Sequence, residues 1–363
     1  MQIAFFGSSL VSSYWNGAAT YYRGIVRSLH ERGHKITFYE PDAWQRQQNR
    51  DIPDPPWAQV VVYPATEESV LRTVEAADGA NLIVKASGVG VFDELLEQAL
   101  LELKRPSNLV VFWDVDAPAT LDRLLRNSAD PFSPLIPRYD AVFTYGGGDP
   151  VVHGYEALGA RRCVPIYNAV DPDTHFPVAS DSRFSGGLAF LGNRLPDREA
   201  RVEEFFLRPA TQLADIRFLL GGSGWGDKPL NQNIRYFDHI STRDHNAFNS
   251  GPLAVLNVTR DSMARNGFSP ATRVFEAAGA AACLITDAWP GIDMFFEPGR
   301  EILVAANGGE VVEHLRSLTP ASAKKIGAAA YRRVLAEHTY AHRAAQIDAL
   351  LEISAFEDLR VAV

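Results

Sequence analysis

Cysteine is nearly absent: 363 residues hold two, Cys163 and Cys283. Each stands among small or apolar residues, with no Cys-x-x-Cys pair and no histidine at ligand spacing, so neither a disulfide scaffold nor a zinc site of the usual pattern is supported. They read as reduced core thiols, which favours a reducing compartment. Basic clusters are missing too. The formal net charge is −9 and no Lys/Arg block accumulates, which argues against a broad nucleic-acid surface and requires that any bound phosphate be held locally. Apolar runs long enough to span a bilayer are missing, and the N-terminus enters Gln2-Ile3-Ala4-Phe5-Phe6-Gly7 without a basic leader. The expectation is a cytoplasmic protein without a transmembrane segment. A dinucleotide fingerprint is lacking as well: Gly7-Ser8-Ser9-Leu10 breaks the G-x-G-x-x-G spacing, and Glu40 is the one acidic candidate closing the second strand.

What is present is alternation. Short apolar runs take turns with helix-period segments along the whole chain, the pattern of parallel sheets wound with helices, and the length suits two domains. Strands are expected near Ile3–Phe6, Lys35–Tyr39, Gln59–Val62, Leu82–Ala86, Leu109–Trp113, Ala141–Thr144 and Arg162–Pro165. A turn-rich stretch from Asn168 to Gly187 interrupts the series. A second series follows, with strands near Leu188–Gly192, Arg217–Gly221, Ile234–Phe237, Leu253–Asn257, Ala282–Thr286 and Ile302–Val304, then two closing helical tracts. The fold class is therefore α/β, with two Rossmann-like doubly wound domains: 1–178, then 179–338, and a closing helical segment at 339–363. Ligands of such sheets sit outside the carboxyl ends of the strands, in a cleft.

The most informative segment runs from Asn266 through Gly267, Phe268, Ser269, Pro270, Ala271, Thr272 and Arg273 to Glu276 and Gly279. Ser269 reads as an N-cap with Pro270 at the first helical position. Such a helix tip attracts anions, and Glu276, on the same stripe as Thr272 or Arg273, suits a hydroxyl-bearing group. An ordinary capped helix with a solvated Arg273–Glu276 pair is the alternative. Gly192, Asn193 and Arg194, followed by Arg198, occupy the first strand-to-helix turn of the second domain, where a guanidinium can grip a diphosphate. Tyr236 ends a strand and offers a ring and backbone groups to a base, or is core.

In the first domain, Phe112-Trp113-Asp114-Val115-Asp116-Ala117-Pro118 ends a strand in two carboxylates. Asp-x-Asp can hold Mg²⁺ or Mn²⁺; equally, one Asp caps the Pro118 helix while the other is solvated; or Asp116 acts as a general base or orients a hydroxyl, with Asp114 behind it. Ser8, Ser9, Asn16 and Gly17 follow the first strand, and Gly146 and Gly147 follow another, so both turns allow close backbone approach.

Taken together, Phe190-Leu191-Gly192-Asn193, Arg273-Val274-Phe275-Glu276-Ala277-Ala278-Gly279-Ala280, Leu284-Ile285-Thr286-Asp287 and Phe296-Glu297-Pro298-Gly299-Arg300 resemble the GT-B glycosyltransferases. Within them the chain looks most like the spore-maturation CgeB-like group. The resemblance implies a closing helix that crosses back onto the first domain, a nucleotide-sugar donor on the second domain and an acceptor on the first. It implies that Glu276 binds the ribose hydroxyls, while Gly192, Arg194 or Arg198 and the backbone of Phe268 to Ala271 contact phosphate. No metal and no cofactor is expected beyond the donor substrate. The large retaining group carries Glu-x7-Glu, but Phe268 stands where its first glutamate would be. The expected activity is transfer of a sugar from a nucleotide-diphosphate sugar to an acceptor, be it a glycan, lipid, protein or small molecule. A non-catalytic nucleotide-binding or interaction protein and a nucleotide-sugar epimerase are the alternatives.

Overall fold

A computed structural model describes the backbone of residues 1–361 and the side chains of residues 1–352. Internal contacts divide the chain into two units, Met1–Tyr167 with Tyr340–Val363, and Asn168–Thr339. All thirteen expected strands form. Among the described residues no helix is long and apolar enough to cross a membrane.

The first unit holds β1 (Gln2–Phe6), β2 (Lys35–Asp42), β3 (Gln59–Pro64), β4 (Leu82–Ala86), β5 (Leu109–Asp114), β6 (Ala141–Thr144) and β7 (Cys163–Pro165). They pair in the order β3-β2-β1-β4-β5-β6-β7, and every pairing is parallel. A parallel sheet is covered on both faces, which is why β1 and β4 read as unbroken apolar runs instead of alternating ones. Ile3, Ala4, Phe5 and Phe6 are all buried. Strand order reverses between β1 and β4, so the turns after these two strands flank the point where such sheets leave a crevice.

The helix Tyr340–Val361 completes this unit. Asp348 pairs with Arg32 at 2.5 Å and with His34 at 2.8 Å, and Arg343 Nε donates to the Tyr167 carbonyl. Tyr340 lies so close to the helix Ala19–Glu31 that a Cβ on Gly24 would come within 2.1 Å of its ring. Only glycine fits there.

One buried lysine braces the turn after β4. Lys85 reaches Asp93 Oδ1 at 2.6 Å and Glu97 Oε1 at 3.7 Å, and the Asp93 carboxylate also accepts from the Val89 and Gly90 amides. Burial pushes the Glu97 carboxyl up to about 7 despite the opposing pull of Lys85. Because its folded pKa lies above the unfolded value, Glu97 supports the fold fully below that unfolded value, and its support is lost as pH climbs toward 7. Glu97→Gln should thus leave thermal stability unchanged near pH 4 and raise it near pH 8, by about 3 kcal/mol. Equal shifts at both pH values in thermal melts would contradict this.

The second unit holds β8 (Leu188–Leu191), β9 (Phe218–Gly221), β10 (Ile234–Phe237), β11 (Ala254–Asn257), β12 (Leu284–Asp287) and β13 (Leu303–Ala305). The order is β10-β9-β8-β11-β12-β13, again all parallel, with the reversal between β8 and β11. Its boundary differs from the expected one. The sequence pattern places residues 168–178 in the first domain, but the segment beginning at Asn168 is tied into the second unit. Asn168 Nδ2 donates to the Pro270 carbonyl, Val170 N–H donates to the His338 carbonyl, and Val170 packs so closely on Gly279 that a Cβ there would lie 2.6 Å away. Turn-rich composition marks irregular backbone, and irregular backbone can still be packed.

Candidate functional site

In the second unit, three turns meet at the carboxyl ends of β8, β9 and β11. The turn after β8 is locked to the one after β9: Trp225 Nε1 donates to the Gly192 carbonyl, the Ser223 amide donates to Asn193 Oδ1, and the Arg194 amide donates to the Ser223 carbonyl. Gly222, at φ +120°, lies so near Gly192 that a Cβ would meet its carbonyl at 2.5 Å. This contact fixes both turns.

The two arginines of this region part company. Arg194 is held by Glu199 through two bonds of 2.8 Å and by Asp227 through a third. Its guanidinium braces the turn. Arg198 lies over the Phe190 ring and donates one bond, to the Asn193 carbonyl, while its Nε has no partner. Burial, together with the neighbouring charge of Arg273, lowers its pKa to about 10. The unmet donor and the adjacent like charge both call for an anion.

The helix following the Asn266–Ala271 segment starts later than the sequence suggests. It spans Thr272–Gly279 with Ala271 at the cap position and no side-chain cap. The Ser269 hydroxyl donates back to the Gly267 carbonyl, and the Pro270 carbonyl is taken by Asn168. Both are thereby withdrawn from helical bonding, so the reading of Ser269 as N-cap and Pro270 as first helical residue is corrected. Phe268 adopts a left-handed backbone, φ 51°, held by its amide bond to the Pro290 carbonyl and by its ring lying against Gly291.

Glu276 is buried on this helix. Arg273 Nη1 approaches its Oε2 at 3.4 Å and His175 Nε2 its Oε1 at 3.8 Å. Burial works to raise the Glu276 pKa, yet Arg273, His175 and His245 hold it below the ordinary carboxylate value. His245 is itself depressed to about 4, first by burial and then by the charge of Arg273. The carboxylate is therefore ionised between an arginine and two histidines. Arg273 Nε and Nη1 have no hydrogen-bond partner. Sequence reasoning missed His175 and His245, which lie far from Glu276 along the chain and carry no motif spacing. It also missed Arg260, bonded to Asp197 at 2.6 Å and adding to the positive field on Arg198. A basic residue just past the end of β11 was the available signal.

Asp287, at the end of β12, is fully buried and accepts from the Thr259 amide and hydroxyl and from Arg201. It holds the turn that carries Arg260. Tyr236 lies on the edge strand β10, its hydroxyl donating to Asp238 at 2.8 Å, and its ring packs against the main core of this unit.

In the first unit, several candidate side chains are engaged internally. Ser8 donates to Asn16 Oδ1, Ser9 to Glu40 Oε1, and Asn16 to the Ser9 and Ser12 carbonyls. Glu40, which is fully buried, also takes the Leu10 amide and Gln47. It organises the turn instead of facing a ribose. Gly17 is exposed with open space around it, Gly146 is buried, and Gly147, at φ +102°, precedes the helix Gly148–Ala157. Asp114 is fully buried and accepts from Ser87, Tyr155 and the Asp116 amide at 2.5 to 2.9 Å. Asp116 caps the helix Ala117–Arg126 in position, without a side-chain cap bond, and is half-buried. Among the described residues no three His, Cys, Asp or Glu side chains gather as a metal site would require.

Against known proteins, residues 198–349 match the family model described as glycosyl transferase-like. No curated protein matches the chain. Solved structures align over essentially the whole chain. Sucrose-phosphate synthase from Thermosynechococcus elongatus is 13% identical, with 100% of each chain covered and a TM-score of 0.72. HepE of Anabaena in complex with UDP-glucose is 12% identical over 97% of this chain and 99% of that one, at 0.68. An alpha-glucosyltransferase solved with UDP and a 13-mer DNA is 11% identical over 98% and 99%, at 0.70. The fold is that of the GT-B glycosyltransferases, and residues 198–349 match the glycosyl transferase-like family model.

Proposed function

We propose that the second unit binds the nucleoside diphosphate of a sugar donor and that the first unit binds the acceptor. The observation that carries this reading is the pair of half-buried guanidiniums, Arg198 and Arg273, each with a buried Nε that lacks a partner, beside the ionised carboxylate of Glu276. A diphosphate would satisfy the first, and ribose hydroxyls would donate to the second. The backbone N–H groups of Ala271, Thr272 and Arg273 would serve the same chemistry, since the start of a helix leaves its first amides open. Charge building on the leaving diphosphate would then be met by groups already in place, without a metal ion. Asp116 is the candidate to take or orient the acceptor hydroxyl proton, with Asp114 fixing its backbone. The segment Arg273–Asp287 is also our reason for placing the chain near the CgeB-like group.

Several solved relatives hold UDP or UDP-glucose, which makes UDP the first nucleotide to try. UDP at about a hundred times its Kd should raise the melting temperature by roughly 5 °C in the presence of EDTA. A flat response to UDP, ADP, GDP and TDP alike would overturn the donor reading.

A further inference from the structure

Three turns at the carboxyl ends of β2, β1 and β4, neighbours in the first sheet, are bound into one braced assembly. Arg46 Nη1 donates to the Ser8 and Val89 carbonyls, Trp44 Nε1 to the Gly90 carbonyl, and the Ser12 hydroxyl to the Asn49 carbonyl. Asp51 takes the Ser13 amide and a bidentate pair from Arg23. Out of this assembly project four large aromatic rings: Trp15 at 72% exposure, Trp44 at 61%, Tyr14 at 40% and Phe92 at 38%. Six non-glycine residues have left-handed backbones among the described residues, and four of them, Trp15, Trp44, Gln45 and Phe92, lie on these turns. That conformation is disfavoured for large L side chains and persists where surrounding bonds impose it.

We propose that these rings form a stacking platform for the sugar rings of an uncharged oligosaccharide acceptor, an inference that rests on the glycosyl-transfer reading and specifies its acceptor. Exposed aromatic faces on a braced frame mark a binding surface, and the turns after β1 and β4 flank the crevice point of the sheet. A pyranose presents an apolar C–H face to an aromatic ring and a rim of hydroxyls to the polar groups around it. The charges argue for a neutral partner. Arg23 pairs with Asp51, Arg50 pairs with Asp54, Arg46 is buried, and Asp42 stays exposed. This leaves no positive field for nucleic-acid phosphates or anionic lipid.

Acrylamide quenching of tryptophan fluorescence in the full chain tests the proposal, with maltohexaose, cellohexaose and chitohexaose as probes. Trp113, Trp225 and Trp289 are buried and Trp57 is half-buried, so quenching reports chiefly Trp15 and Trp44. One of these sugars should reduce the quenching constant about twofold, and Trp15→Ala and Trp44→Ala should each raise its Kd about tenfold, as loss of one ring contact implies. Both variants should keep the UDP-induced shift, and Trp15→Ala should also keep the parent melting temperature, which shows that the fold is intact. Protection by none of the three sugars overturns the proposal, as does protection by single-stranded DNA or anionic phospholipid vesicles in their place. If the UDP shift persists in that case, only the acceptor class fails; absence of any nucleotide shift in the parent is instead a failure of the donor reading.

Discussion

Arg198→Ala should weaken UDP binding about a hundredfold, because two charge-assisted hydrogen bonds of roughly 1.5–3 kcal/mol each cannot form. The same substitution should leave the nucleotide-free protein as stable as the parent, or more so. Arg198 is half-buried with a buried, unmet Nε and sits within the field of Arg273 and Arg260, so its removal relieves a cost in the empty protein. These opposite signs separate a binding arginine from a structural one. Calorimetric titration with UDP gives the first quantity and a melt without nucleotide gives the second. A large drop in the melting temperature with unchanged UDP affinity would place Arg198 alongside Arg194, as a brace of the turn.

Glu276→Ala should also weaken UDP binding about a hundredfold, through loss of the charged acceptor for two ribose hydroxyls. A second nucleotide makes this specific. In the parent, 2′-deoxy-UDP should bind roughly tenfold more weakly than UDP, and in Glu276→Ala the two should bind alike. Equal binding of both nucleotides to the parent would show that the carboxylate does not meet the ribose. Arg273, His175 and His245 would then be left to explain why an ionised glutamate is kept in a buried position.

Much of this was legible in the residues because it is local. Unbroken apolar runs such as Ile3–Phe6 and Leu284–Ile285 can be read as buried parallel strands without any knowledge of their neighbours. Gly192 and Asn193 directly follow the end of β8, where sheets of this kind place ligands. What escaped reading was set by partners distant in sequence. Ser9 looks like a ligand-facing hydroxyl until Glu40 is found against it, and Ser269 looks like a cap until Asn168 takes the next carbonyl. Arg194 and Arg198 look alike in the sequence. Glu199 and Asp227, one near and one far, decide which of them is already occupied. The outward turn of Trp15, Trp44 and Phe92 depends on left-handed backbone that no pattern of apolar residues announces.

The helix Tyr340–Val361 belongs to the first unit, though the whole of Asn168–Thr339 precedes it in the chain. During synthesis, the second unit is therefore complete before the first has its last helix. At about 5–20 residues per second, the nascent first sheet waits on the order of ten seconds or more with the face around Gly24 uncovered. The order of assembly is thus reversed relative to the order of emergence, and the second unit can close while the first is still open.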